Sequence, residues 1–232
     1  LIRGAVLTPR FPRIGIVAGL DRELAGFCPD RPRERVVGAP FPVHRLDLDG
    51  RQVFLASTGI GKVAAATAAT FLAAACRVDL LLVIGTAGAL EPIEGRVFLI
   101  ADAVQADYGA RRADGLVPYT AGTWPIGDAT LETFRPMDTP GLDLPTARIA
   151  SGDVFVECDD HAAWLRRTFG ATLVDMEVAA VAQAAALLGL PWAAIKATTD
   201  GADEGSAGDF MAHLGAAADA AGAAAMRLIA GL

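Results

Sequence analysis

Two acids near the end of the chain sit where apolar sequence meets a turn. Glu177 lies in Val174-Asp175-Met176-Glu177, and Asp200 lies in Thr198-Thr199-Asp200. Between them run an Ala-rich stretch, Gly189-Leu190-Pro191 and a short apolar segment, which places them at opposite edges of a helix-plus-strand unit. A carboxylate at such a boundary is partly desolvated and can point into a cleft. A pair held that way suits gripping a polar ligand and moving a proton. Glu23 is a third candidate. Asp21-Arg22-Glu23-Leu24 follows an apolar run and Gly19, and reads as the first turn of a helix whose positive dipole end favours an anion.

The elements that must position these acids follow from apolar runs and turn residues. Residues 14–18 read as a strand. Residues 43–48 and 52–57 flank Asp49-Gly50, a two-residue hairpin signal. Residues 62–76 form an Ala-rich helix, and 80–84 form a buried strand closed by Gly85-Thr86-Ala87-Gly88. In that turn the backbone can approach a ligand, with the Thr86 hydroxyl as a donor. Strands are predicted at 97–104 and 192–197, extended segments at 148–151 and 154–156, and helices at 161–169, 177–188 and 210–229. Residues 107–127 show no period and read as a long functional or interfacial loop. Helices alternating with strands, plus an early antiparallel hairpin, predict an α/β sandwich with a mixed central sheet. At 232 residues, one domain spanning 1–232 is expected.

Composition narrows the partners. A net charge of −7 without a Lys/Arg-rich run argues against nucleic acid or an anionic membrane. Cys28, Cys76 and Cys158 lack metal-like spacing and read as free thiols in a reducing cytoplasm. His44, His161 and His213 are scattered, so no metal is assigned. The apolar stretches 63–90 and 178–195 are broken by Arg77 and Asp79, and by Gln183, Gly189 and Pro191. They read as buried helix and strand, not as membrane spans. Residues 1–18 carry Arg3, Arg10 and Arg13 and do not read as a leader. A soluble cytoplasmic protein is expected. Gly59-Ile60-Gly61-Lys62-Val63-Ala64 fits a loose dinucleotide fingerprint, but its acid, Asp79, stands at the start of the following strand, on the wrong edge to reach a ribose. Ala56 and Val63 break the phosphate-loop pattern. No cofactor is expected, and the absence of a G-x-S-x-G elbow argues against a serine hydrolase.

Together these segments resemble the nucleoside phosphorylase/nucleosidase family, most of all its methylthioadenosine/S-adenosylhomocysteine nucleosidases. The likeness is carried by residues 15–23, 57–66, 84–88, and by Val174-Asp175-Met176-Glu177 with Thr199-Asp200. It implies a three-layer αβα sandwich and a purine nucleoside as ligand. Glu23 would hold and activate water, and Asp200 would protonate the purine at its imidazole nitrogen. Glu177 would accept the ribose hydroxyls, and Met176 would pack on the sugar. Phe155 would stack on the base, the Val156 backbone would bond its edge, and Phe210 would close the pocket. Thr86, Gly88 and Thr199 would complete the lining. The chemistry agrees: a purine leaves readily only when protonated, and the sugar face needs a second carboxylate beside the water.

The family supports hydrolysis and phosphorolysis. Phosphate needs cations, and the strand Leu80-Leu81-Leu82-Val83-Ile84 offers none where hexameric phosphorylases carry an Arg. Water is the expected nucleophile, with Arg22 the local reservation. A phosphorylase, a futalosine-type nucleosidase and a non-catalytic nucleoside-binding protein are the alternatives. The resemblance also implies a homodimer in which the 107–127 loop covers the 5′ end of the ligand, with Tyr108, Tyr119 and Trp124 as a wall and Arg111 and Arg112 facing an acidic substituent.

Overall fold

The computed structural model describes residues 9–93, 96–139 and 141–232. In chain order its elements are β1 (Arg13–Ala18), α1 (Asp21–Ala25), β2 (Glu34–Arg35), β3 (Val43–Leu48), β4 (Arg51–Ser57), α2 (Lys62–Ala74), β5 (Leu80–Ala89) and β6 (Val97–Gln105). There follow β7 (Gly109–Arg112), β8 (Gly115–Pro118), β9 (Thr146–Ser151), α3 (Asp159–Phe169), β10 (Leu173–Asp175), α4 (Val178–Leu188), β11 (Trp192–Asp200) and α5 (Ser206–Gly231).

Side chains alternate across the central strands and assign each residue to a face. Ile14, Ile16, Leu80, Leu82, Ile84, Ala193 and Ile195 pack under α1 and α5, against Leu24, Phe27, Ala221 and Leu228. Val17, Leu81, Val83 and Ala194 face α2 and α4, against Ala65, Leu72, Val178 and Val181. Helices therefore cover both faces of a nine-stranded mixed sheet, ordered β10-β9-β6-β11-β5-β1-β4-β3-β2. This is the αβα sandwich expected from the sequence. β1, β4, β5 and β11 are parallel, so their C-terminal ends share one edge.

The hairpin at Asp49-Gly50 forms as expected, with both residues at positive φ (49° and 81°) as a two-residue turn between twisted strands requires. Two expectations are corrected. Gly85-Thr86-Ala87-Gly88 does not turn the chain: β5 runs on through these residues to Ala89, still paired with β11. Small side chains let the strand pass close to its neighbours, and its far end pairs antiparallel with β10, Val174 opposite Gly88. The 107–127 segment is not wholly irregular either, since β7 and β8 form a separate two-stranded hairpin within it.

α5 lies on α1 through glycines. A Cβ on Gly222 would come within 2.8 Å of the Gly26 carbonyl carbon and 2.9 Å of the Phe27 nitrogen. Higher on the same contact, Arg22 makes two bonds to Asp219, at 2.8 and 3.0 Å, and a third to the Gly215 carbonyl. Gly208 has open space around its Cα. Two substitutions of one kind should then act with opposite sign. Gly222→Ala should cost about 1–3 kcal/mol by forcing the helices apart, and Gly208→Ala should gain about 0.5–1 kcal/mol from helix propensity. Urea unfolding of the two variants checks both; equal effects would mean that the close approach at Gly222 carries no energetic weight.

Candidate active site

The parallel strand ends and the start of α4 surround a cleft of about 660 Å³, mouth included. Glu23, Thr86, Gly88, Phe155, Val156, Met176, Glu177, Thr199, Asp200 and Phe210 all line it. The ten positions singled out from the sequence are thus brought to one place. Glu177 and Asp200, set at opposite edges of their unit, meet because β11 runs back along the length of α4.

Glu23 sits on α1 directly after β1 and is buried. One oxygen accepts from the Leu20 amide (3.0 Å), closing the first turn of its own helix. The other accepts from the Thr86 amide (2.7 Å) and the Thr86 hydroxyl (2.9 Å). The Thr86 proton is therefore committed to Glu23 and is not the free donor toward a ligand that the sequence suggested. Gly85 makes this approach possible, because a Cβ there would lie 2.4 Å from Glu23 Oε1 and its φ is +150°.

Glu177 is the N-cap of α4, one residue before the helix begins, yet its side chain does not cap it. Asp175 does, accepting from the Val178 amide (3.0 Å), with Ser151 accepting from the Ala179 amide (2.9 Å) and donating to Asp175. Glu177 is left to accept from the Gly61 amide (3.1 Å) and to face the cleft. Gly19 shows how near the two glutamates come, since a Cβ there would be 3.2 Å from Glu177 Oε1 and 3.5 Å from Glu23 Oε2.

Asp200 ends β11 behind a bulge, where Thr198 pairs with Ala87 and Asp200 with Gly88. The extra residue re-aims the strand end. Asp200 accepts from the Thr199 hydroxyl (2.8 Å) and the Ala202 amide (3.1 Å), and Ala202 holds a left-handed φ of 53° to make that turn. Phe155 and Phe210 meet edge to face across the mouth, centroids 6.0 Å apart.

Lys196 is the residue that the sequence reading missed. It is 1% exposed, lies 2.9 Å from Asp175 Oδ2 and 3.6 Å from Glu177 Oε2, and is the cation behind the cleft. Its signal was a lone charge inside the apolar strand 192–197. Burial pushes the Glu177 carboxyl up, to about 7, with Asp175 and Glu23 adding to the rise and Lys196 and the Gly61 amide opposing it. Asp175, Glu177 and Glu23 hold the Lys196 ammonium above its ordinary range against the opposing effect of burial.

Other expectations land outside the cleft. Arg22 is spent on Asp219 and Gly215. Asp79 accepts from the Arg13 amide at the opposite edge of the sheet. Tyr119 does not form a wall: its ring is buried and its hydroxyl donates to the Gly127 carbonyl. Tyr108 donates to the Thr123 carbonyl, Trp124 is exposed, and Arg112 donates to the Tyr119 hydroxyl. Arg111 lines a neighbouring cavity with His161 and Trp164. Among the described residues no three His, Cys, Asp or Glu side chains converge as metal ligands, and no helix is long and apolar enough to cross a membrane.

Comparison with known proteins agrees with this architecture. The chain is 29% identical to the 5′-methylthioadenosine/S-adenosylhomocysteine nucleosidase of Mycobacterium bovis, over 93% of this chain and 96% of that protein. It superposes on the Streptococcus pneumoniae MTA/SAH nucleosidase in complex with 8-aminoadenine with a TM-score of 0.81 at 26% identity, covering 95% of this chain and 100% of that one. The futalosine hydrolase of Helicobacter pylori shares the fold, with a TM-score of 0.82 at 22% identity over 95% and 98% of the two chains. The family model of the phosphorylase superfamily matches residues 13–230, so this chain belongs to that superfamily.

Proposed function

We propose that this chain hydrolyses the N-glycosidic bond of a purine nucleoside with a modified 5′ group, of the methylthioadenosine or adenosylhomocysteine type, and releases the base. The lining of the cleft carries this reading. Among the described residues that line it, the charged ones are Glu23, Asp175, Glu177 and Asp200, and none is a cation. A phosphate ion there would meet four carboxylates, whereas water needs an acceptor. The related nucleosidases, similar over nearly the whole chain, support the same class of reaction.

In this reading Glu177 accepts the ribose 2′- and 3′-hydroxyls, Met176 packs on the sugar, and Phe155 stacks on the base with Phe210 closing the mouth. The bond between the anomeric carbon and the purine breaks, and its electron pair stays with the base. Asp200 gives its proton to the imidazole nitrogen of the departing purine. Glu23 orients a water, whose oxygen bonds to the anomeric carbon as Glu23 takes up its proton. The polypeptide acts as one domain, needs no cofactor and works in the cytoplasm. Its partner is a second copy: Val63 on α2, Leu187 on α4 and Trp124, in the segment whose Gly122 abuts Gln183 of α4, are apolar and 78–82% exposed.

Asp200→Asn should still bind nucleoside but lose about 10²- to 10⁴-fold in turnover, and Glu23→Gln should lose a similar factor. Purine release from methylthioadenosine, adenosylhomocysteine, inosine and futalosine measures both variants against the parent. Release should proceed without phosphate and yield no ribose 1-phosphate; strict phosphate dependence would make the chain a phosphorylase.

The pH profile tests Glu177. It grips hydroxyls as an anion, so kcat/KM should fall as pH drops through about 7. Lys196→Met removes the cation that holds this group down and should move the limb to higher pH, while Lys196→Arg should leave it in place. Stability runs the other way. A carboxyl raised from 4.5 to about 7 contributes most below 4.5, and that contribution is lost as pH rises through about 7. An unmoved limb in Lys196→Met would assign the titration to another group. Sedimentation should find a dimer that Leu187→Glu and Trp124→Glu weaken; a monomer at micromolar concentration would remove the second copy.

A further inference from the structure

The two loops that would grip the two halves of a nucleoside are joined by a ring of polar contacts outside the cleft. Lys62, the first residue of α2, donates its amide to Asp153 Oδ1 (2.7 Å). The Asp153 amide donates to Asp107 Oδ2 (2.9 Å). Asp107 Oδ1 is in turn paired with the Lys62 ammonium, which also donates to Gln105 Oε1 (3.1 Å). Gln105 donates to Gln183 on α4. The ring closes on itself with every member partnered.

Its position gives it consequence. Successive amides at the start of α2 serve two different carboxylates: Gly61 donates to Glu177 on the ribose side, and Lys62 donates to Asp153, two residues before Phe155. Residues 152–158, which carry Phe155 and Val156, form neither helix nor strand. The Gly152 amide is held by the Asp175 carbonyl (3.1 Å) and the Asp153 amide by Asp107, and the next regular structure is α3. Gly61 keeps the contact close, since a Cβ there would lie 3.1 Å from Asp153 Oδ1 and its φ is +108°.

We propose that Asp107, Lys62 and Asp153 form a positioning ring that fixes the 152–157 loop against the start of α2, and so sets the spacing between the base-stacking Phe155 and the ribose acceptor Glu177. None of the three touches the nucleoside; each acts through the backbone it holds. The inference rests on the nucleosidase reading for its kinetic consequence but not for its mechanical one.

The test has two arms. In hydrogen exchange, Asp107→Ala should speed the amides of both 152–157 and 59–62 relative to the rest of the chain. In kinetics with the nucleoside turned over best, Asp107→Ala and Asp153→Ala should each lower kcat/KM about 10- to 100-fold, mainly through KM. Asp153→Asn, which keeps an acceptor for the Lys62 amide, should restore most of it, and the double variant should be no worse than the poorer single one. Exchange that rises in one loop alone, losses that multiply in the double variant, or an Asp153→Asn as poor as Asp153→Ala would each overturn the ring. A parent chain that releases no base from any nucleoside would defeat the nucleosidase reading, while the exchange arm would still decide the ring.

Discussion

One ammonium group allows three carboxylates to share a buried end of the sheet. Glu23, Asp175 and Glu177 are all buried, and Lys196 stands behind them fully enclosed. Removing one partner from such a cluster leaves an uncompensated charge, which typically costs about 3–5 kcal/mol. The local solution divides the work. Asp175 takes the shorter contact with Lys196 and caps α4. Glu177 takes the longer one and turns to the cleft, and burial raises its carboxyl to about 7 against the opposing pull of Lys196.

The topology explains why these groups converge. Four parallel strands deliver their C-terminal ends to one edge, where loops and helix starts expose backbone amides. β10 approaches from the other direction through its pairing with the tail of β5, bringing Asp175, Met176 and Glu177 over the same opening. The cleft is thus framed by two strand sets of opposite direction, and β5 belongs to both.

Much of this was legible in the chain. Alternating apolar runs gave the strands, Asp49-Gly50 gave the hairpin, and boundary acids gave the cleft. The alternation also places Lys196 on the face with Ala194 and Trp192, toward α4, but a local reading sees only one charge in an apolar strand. Its partners lie some twenty residues away and become neighbours only when α4 reverses the chain. The passage of β5 through Gly85-Thr86-Ala87-Gly88 was hidden for a similar reason. Glycine reads as a turn when taken locally, whereas here it yields room to Glu23 from another element. The hairpin at β7 and β8 lacks apolar alternation because it packs little, so periodicity had nothing to report.

The extra length of β5 has a last effect on how the molecule meets its neighbours. Because β10 is bonded on one side to β9 and on the other to β5, that flank of the main sheet closes on itself and offers no row of free amides and carbonyls. The opposite flank ends in β2, two exposed charged residues, Glu34 and Arg35, too short and too hydrated to template another strand. Strand-to-strand stacking thus finds no template at the β10 flank of the main sheet and only a short, charged one at β2.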